Sequence, residues 1–144
     1  MRWLAIDYGT KRIGVAIGNT DDGIASPIET IPAHPPVAAI VRLRELVAEY
    51  EVAGLVVGWP LNMDDTEGPQ GKVSRAFAQT LADATKLEVR LWDERLSSFA
   101  ADQQLAGLLT RKKKKAIQDA VAAAAILHDF LAAGGPKSDA PKVG

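Results

Sequence analysis

Residues 54–58 constrain the fold more than any other segment of the sequence. They read Gly-Leu-Val-Val-Gly, so the segment is short, rich in β-branched residues and apolar at both alternating positions. A strand with this pattern is covered on both of its faces, as in a sheet that carries helices on either side. The segment therefore predicts a central strand of an α/β fold.

The apolar segments on either side of it predict the rest of the sheet. Runs at 2–6 and 13–17 flank a short polar link with a glycine, which indicates a β-hairpin. Residues 23–31 predict a third strand, at an edge because Pro27 cannot donate to a ladder. With a further strand at 88–92, the fold class is α/β: a five-stranded mixed sheet, made of an antiparallel meander of three strands and then two parallel strands.

Helices are predicted between and after the last strands. Two of them open at prolines, one at Pro35 or Pro36 and one at Pro69, the second running to about Lys86. Ser97 or Ser98 would cap a third helix that extends to about Leu109. A fourth helix, apolar almost all round, is predicted over 116–133. These helices would flank the sheet.

Length and composition set the domain organisation. The 144 residues suffice for one domain with its own core, which we place at 1–133, and 134–144 predict a disordered tail after Gly134-Gly135-Pro136. The chain has no cysteine, which excludes a disulfide scaffold, a thiolate metal site and a cysteine nucleophile. No apolar run approaches the roughly 20 residues of a membrane span. We therefore expect a cytoplasmic protein that does not engage a membrane.

Acidic residues interrupt apolar segments at three places. Asp7 follows the first strand, Asp93 and Glu94 follow the last, and Asp119 continues at helical spacing into an apolar stripe of the final helix. Carboxylates gathered from separate segments repel one another unless a cation neutralises them, and oxygen ligands suit Mg²⁺ or Mn²⁺. Taken singly, the same residues are compatible with a strand end, a turn and a stabilised helix N-terminus.

Positive charge is concentrated just before Asp119. The net charge is −1, from 17 basic and 18 acidic residues, so any polyanion binding must come from a local patch. Arg111 and the four lysines Lys112, Lys113, Lys114 and Lys115 form such a patch and predict phosphate contacts. The alternative is a solvated linker between helices.

Five motifs, in order from about residue 3 to 132, together resemble the YqgF family. Members of this bacterial family are described as pre-16S ribosomal RNA nucleases or Holliday-junction-resolvase-like proteins. The motifs are Ile-Asp-Tyr-Gly-Thr-Lys-Arg-Ile-Gly-Val-Ala at 6–16, Val-Gly-Trp-Pro-Leu-Asn-Met-Asp at 57–64, Glu-Gly-Pro-Gln at 67–70, Asp-Glu-Arg-Leu-Ser-Ser at 93–98, and Lys114-Lys115 with Asp119 and Ala122-Ala123. Trp59 and Asp65 depart from the pattern, where a smaller aliphatic residue and a glycine are expected, and both lie in the loop that would contact substrate.

The resemblance implies an RNase H-like fold and a metal-dependent nuclease. By position, Asp7, Glu94 and Asp119 match the family's acidic residues and would be both catalytic and metal-binding, with Mg²⁺ or Mn²⁺ as cofactor. Asp93 adjoins Glu94, and strand alternation would send the two side chains to opposite faces. The expected substrate is structured nucleic acid, either ribosomal RNA precursor or branched DNA, and the chain would act as a monomer or homodimer. The expected nucleic-acid contacts are Lys11, Arg12, Asn62, Arg95 and Lys112 to Lys115.

Two other functions compete with the nuclease. The chain could be a ribosome-maturation factor that binds nucleic acid without cutting it. Residues 7–10, Asp-Tyr-Gly-Thr, also resemble the phosphate loop of the actin and sugar-kinase superfamily. Those enzymes close two domains around ATP, whereas this chain has length for one.

Overall fold

The computed structural model describes residues 1–96 and 111–143, which form one six-stranded sheet with helices on both faces. The strand order across the sheet is β3-β2-β1-β4-β5-β6. The first three strands pair antiparallel, and β4 and β5 run parallel to β1. The predicted α/β class and mixed sheet are therefore confirmed. The strands are β1 Arg2–Tyr8, β2 Arg12–Asn19, β3 Ala25–Pro32, β4 Gly54–Trp59, β5 Glu88–Asp93 and β6 Lys142–Val143.

Three α-helices lie within the described ranges, namely α1 Pro36–Glu49, α2 Pro69–Thr85 and α3 Arg111–Ala132. Helices α1 and α2 begin at the predicted prolines, where a fixed φ and a missing N–H cost nothing. The helix predicted from Ser97 or Ser98 lies outside the described residues. In the part of the chain that the structure describes, no helix has the length and apolar character needed to cross a membrane.

Two apolar clusters hold the helices on opposite faces of the sheet. Helices α1 and α2 pack on one face through residues such as Leu43 and Phe77, and α3 packs on the other through Ile126 and Phe130. Strand β4 contributes to both clusters, with Leu55 and Val57 in the first and Val56 in the second. This double coverage explains why residues 54–58 are apolar at both alternating positions.

Helix α3 begins five residues earlier than predicted. It starts at Arg111, so the basic run forms its first turns instead of a linker before Ala116. Lysine and arginine are good helix formers, and no glycine or proline separates 111 from 116, so the backbone can continue as helix. The positions of the lysine side chains in this run lie outside what the structure describes.

The sheet has six strands instead of the predicted five. The additional strand, β6, comes from the segment predicted to be a disordered tail, and it pairs antiparallel with β5. Arg90 of β5 is buried, and its guanidinium donates to the backbone carbonyls of Pro136, Ser138 and Ala140. The C-terminal segment is therefore held by strand pairing and by polar contacts to one buried side chain, tertiary interactions that the local sequence does not reveal.

Candidate active site

Asp7 lies at the carboxyl edge of the sheet with a glycine on each neighbouring strand. It pairs with Gly14 of β2, and Ile6 pairs with Val57 of β4, so Gly58 is the next residue along that side. Strand alternation places the side chain of Asp7 on the face covered by α3, because Ala5 belongs to the cluster beneath that helix. Because neither glycine has a side chain, other groups can approach the strands closely on either side of this carboxylate.

Glu94 occupies the space beside Gly58. A Cβ placed on Gly58 would collide with the Glu94 carboxylate and would lie 2.8 Å from Cδ1 of Ile126. The Glu94 carboxyl is hydrogen-bonded to Asp7, and burial together with the Asp7 charge raises the pKa of Glu94 to about 8. At neutral pH the two carboxyl groups therefore hold one proton between them.

Asp119 approaches from α3 on the other side of Asp7. A Cβ on Gly14 would collide with the backbone carbonyl of Asp119, so the helix backbone rests directly on β2 at the residue that pairs with Asp7. The side chain of Asp119 accepts a 2.7 Å hydrogen bond from Nε of Arg12. Both members of this ion pair are partly exposed.

The three predicted acidic residues therefore lie near one another at the sheet edge, but their three carboxylates do not all contact one another. Asp7 and Glu94 contact each other, whereas Asp119 is held by Arg12. Among the side chains that the structure describes, no three Asp, Glu or His groups are arranged to hold a metal ion. The donor chemistry nevertheless fits Mg²⁺ or Mn²⁺, since a carboxyl pair that needs a shared proton can be neutralised instead by a cation.

Asp93 and Glu94 have different partners, although strand alternation does not apply directly, because β5 ends at Asp93 and Glu94 begins a short 3-10 turn. Asp93 accepts hydrogen bonds of 2.7 to 3.1 Å from the guanidinium of Arg95, and these bonds lower the pKa of Asp93. The same arginine donates to Asp65 at 2.7 Å and to the backbone carbonyl of Asn62 at 3.0 Å. Arg95, expected to contact phosphates, is thus occupied by protein partners.

The loop that follows β4 lies at the same edge. Trp59 packs against the cluster beneath α1 and α2, and its Nε1 donates a 2.8 Å hydrogen bond to Glu67. Asp65 has a left-handed backbone with φ of 69°, a conformation that favours the glycine expected at this position from the family resemblance. The amide of Asn62 donates to Thr66 at 2.9 Å, so this residue also takes part in the internal bonding of the loop.

The remaining predicted nucleic-acid contacts divide between the β1–β2 turn and the start of α3. Lys11 is exposed in the turn, beside Arg12, at the edge that carries Asp7. The side chains of Lys112 to Lys115 lie outside the described residues, although the helix that bears them leads directly to Asp119. Their contacts with nucleic acid stay a prediction.

Sequence reasoning missed the role of Gly14 and Gly58. Both interrupt apolar strands, and an isolated glycine inside a strand pattern indicates a close approach of backbone or ligand. That signal was present, but the approaching groups, Asp119 and Glu94, are far away along the chain. Only the folded arrangement shows which group each glycine accommodates.

A family model described as "RuvX: Holliday junction resolvase" matches residues 1–133. The chain belongs to this family. The resemblance to YqgF seen in the motifs is thereby confirmed, because RuvX and YqgF denote the same family. Membership in RuvX supports a nuclease that acts on nucleic acid.

Named relatives and a solved structure agree with this placement. A Chloroflexus aurantiacus protein named "Putative pre-16S rRNA nuclease" is 50% identical over 129 residues, covering 89% of this chain and 84% of the relative. A Geobacillus protein of the same name is 43% identical over 134 residues, covering 91% and 97%. The structure of T. thermophilus RuvC with a Holliday junction substrate superposes with a TM-score of 0.61 at 15% identity, covering 98% of this chain and 99% of RuvC. At that identity the RuvC likeness shows a shared fold with the RuvX chain.

Proposed function

We propose that this protein is a divalent-metal-dependent endonuclease that hydrolyses phosphodiester bonds in structured nucleic acid. The proposed physiological substrate is the 5′ end of pre-16S ribosomal RNA, and a Holliday junction in DNA is the second substrate to test. The observation that carries the proposal is the Asp7–Glu94 carboxyl pair at the carboxyl edge of the sheet, with Asp119 of α3 beside it. In sheets of this kind, function gathers at that edge.

The acidic residues would serve as the metal ligands. Asp7 and Glu94 would bind Mg²⁺ or Mn²⁺ in place of their shared proton, and Asp119 would join them after releasing Arg12. The bound metal would supply an activated water and neutralise charge on the phosphate. Because the sequence has no cysteine, a thiol nucleophile plays no part.

The basic residues at this edge would orient the substrate. Lys11 is exposed beside the carboxylates, and Arg12 would gain a free guanidinium when Asp119 turns to the metal. Both would bind backbone phosphates, as would the lysines 112 to 115 at the start of α3. A basic border around an acidic centre allows a near-neutral chain to bind a polyanion locally.

The names of the relatives and of the family model support the proposed substrates. Ribosomal RNA as substrate is supported by the printed name of the Chloroflexus and Geobacillus relatives. Branched DNA is supported by the description of the family model. We further propose that the protein acts in the cytoplasm as a monomer or homodimer.

The first test compares cleavage of two substrates by the same preparation. A ribosomal RNA precursor and a four-way DNA junction are incubated with Mn²⁺, with Mg²⁺ and with EDTA. We expect cleavage only with metal, and a loss of at least about 100-fold in Asp7→Asn, because one ligand of the site is removed. The matched control is Asp21→Asn, an 82% exposed carboxylate at the opposite edge of the sheet, which should cut like the wild type.

Two results would contradict the proposal. Undiminished cleavage by Asp7→Asn would show that the carboxyl pair is not the catalytic centre. Binding of either substrate without cleavage under any metal condition would favour the non-catalytic maturation factor.

A further inference from the structure

Arg95 uses its whole guanidinium to join two segments of the chain. Nε and Nη2 donate to Asp93, Nη2 also donates to Asp65, and Nη1 lies 3.0 and 3.5 Å from the carbonyls of Asn62 and Met63. An arginine side chain has five N–H donors, and this set engages all three nitrogens that carry them. Only 27% of the side chain is exposed.

These contacts connect the Trp59–Gly68 loop to the residue that follows Glu94. The loop leaves β4 at Trp59, the last residue of the strand, and the preceding Gly58 faces the Glu94 carboxylate. Arg95 is the neighbour of Glu94 in sequence and reaches back to the middle of the loop. The Arg95 side chain therefore links the middle of the loop to the carboxyl edge of the sheet.

The far end of the loop has a second anchor of the same type. Glu67 accepts two hydrogen bonds of 2.8 Å from Arg75 of α2 and one of 2.8 Å from the indole of Trp59. Within the loop, the Asn62 N–H donates to the Thr66 carbonyl at 2.9 Å, and the Asp65 N–H donates to the Asn62 carbonyl at 3.0 Å. Between the two anchors the loop is thus bonded to itself and presents Met63, which is 90% exposed.

We infer that Arg95 is a positioning residue, which fixes the Trp59–Gly68 loop against the carboxyl edge so that the loop can receive the nucleic-acid strand. This inference rests on the proposed function and differs from the expectation that Arg95 itself binds a phosphate. A guanidinium whose donors are already directed to two carboxylates and two carbonyls offers little to a further anion. The planar guanidinium can donate hydrogen bonds to several acceptors at once, and a lysine ammonium cannot reproduce this geometry.

Binding assays can separate the two roles of Arg95. The parent protein carries Asp7→Asn so that substrate is bound but not cut, and affinity for the four-way DNA junction is measured by fluorescence anisotropy at several salt concentrations. We expect Arg95→Lys to weaken binding about 10-fold and Asp65→Asn about 3-fold, with the salt slope unchanged in both. Asparagine tolerates the left-handed backbone at 65, so the second variant removes charge pairing and little else.

A phosphate-binding Arg95 would give the opposite pattern. Arg95→Lys would keep most of the affinity, and Asp65→Asn would leave it unchanged or tighten it by releasing the guanidinium. Arg95→Gln would then lower the salt slope by about one phosphate contact. The matched control is Arg42→Gln, which breaks a comparable pair of bonds to Glu29, far from the loop, and should leave affinity unaltered.

Hydrogen exchange supplies a readout that does not need substrate. The amides of Asn62 and Asp65 should exchange roughly 10-fold faster in Arg95→Lys, because their acceptors lie in the released loop. In Asp65→Asn the same increase is expected at Asn62. Unchanged exchange would overturn the positioning role. If the parent binds no nucleic acid at all, the proposed function fails, while the exchange result still decides whether Arg95 anchors the loop.

Discussion

At the residue scale, Glu94 shows how position changes the chemistry of an ordinary side chain. Its neighbour Asp93 has a lowered pKa because Arg95 donates to it, while Glu94 has a raised pKa because it is buried beside Asp7. The two carboxylates are adjacent in sequence but have different partners and different burial. The residue pattern alone could not predict which of the two would meet Asp7, because the choice depends on tertiary packing. The family resemblance assigned this position to Glu94, and the structure places Glu94 beside Asp7.

The raised pKa of Glu94 predicts a pH dependence of stability in the metal-free protein. The folded state holds a proton on Glu94 up to about pH 8, whereas an unfolded glutamate releases it near its ordinary pKa of 4.5. The folded state therefore binds more protons between these values, and stability falls as pH rises through this window. We expect a loss on the order of 2 kcal/mol between pH 5 and pH 8, measured by urea unfolding in EDTA.

Glu94→Gln is the control for this titration. Glutamine cannot ionise, so the decline between pH 5 and pH 8 should largely disappear in this variant. The groups with lowered pKa, such as Asp93 and Glu67, titrate below this window and do not disturb the comparison. Equal slopes in wild type and Glu94→Gln would show that Glu94 is already ionised at neutral pH.

At the element scale, the glycines of β4 determine how closely α3 and Glu94 approach the sheet. Gly54 and Gly58 lie four residues apart on the face that α3 covers, and neither could carry a Cβ without a collision. Gly54 accommodates the ring of Trp3, whereas Gly58 accommodates Glu94 and Ile126. In this strand, Gly54 therefore makes room for core packing, whereas Gly58 makes room for a carboxylate of the candidate site.

This difference predicts different results for two alanine substitutions. Gly54→Ala should cost about 2 kcal/mol of stability, because its methyl group meets the buried ring of Trp3. Gly58→Ala should cost less, because the nearest atoms are the flexible ends of the Glu94 and Ile126 side chains. Only Gly58→Ala should also reduce metal-dependent cleavage, by about 10-fold or more, since it displaces the Glu94 carboxylate. Unfolding curves and cleavage rates per folded molecule would be compared, and equal cleavage by the two variants would contradict the role of Gly58.

Elements with strong local signals were predictable, and elements held by distant contacts were not. The prolines at the starts of α1 and α2 and the doubly apolar β4 each act within a few residues, so the sequence predicted them correctly. The start of α3 was misplaced because a charge run resembles a linker, although its residues favour helix. The bonds of Arg95 to Asp65 and Asn62 span about thirty residues, which no local pattern encodes.

At the scale of the whole molecule, the C-terminal segment completes the sheet by adding β6 to β5. Three carbonyls of this segment, from Pro136, Ser138 and Ala140, accept hydrogen bonds from Arg90, which is 4% exposed. Val143 packs against the cluster beneath α1 and α2. The family match ends at residue 133, so this closing segment lies beyond the matched region.

The coupling between Arg90 and the C-terminal segment can be measured with a double-mutant cycle. Removal of 134–144 should cost about 3 kcal/mol in unfolding free energy, because a buried guanidinium loses three charge-assisted hydrogen bonds. In an Arg90→Met background, no buried guanidinium remains and the partner carboxylate of Glu88 is partly exposed, so the same truncation should cost roughly 1 kcal/mol. An equal cost in both backgrounds would assign the stabilisation to the packing of Val143 and the pairing of β6 instead.

Cleavage by the truncated protein should persist at temperatures where it is folded, since the carboxyl edge with Asp7 and Glu94 is formed by β1, β4 and the residues after β5.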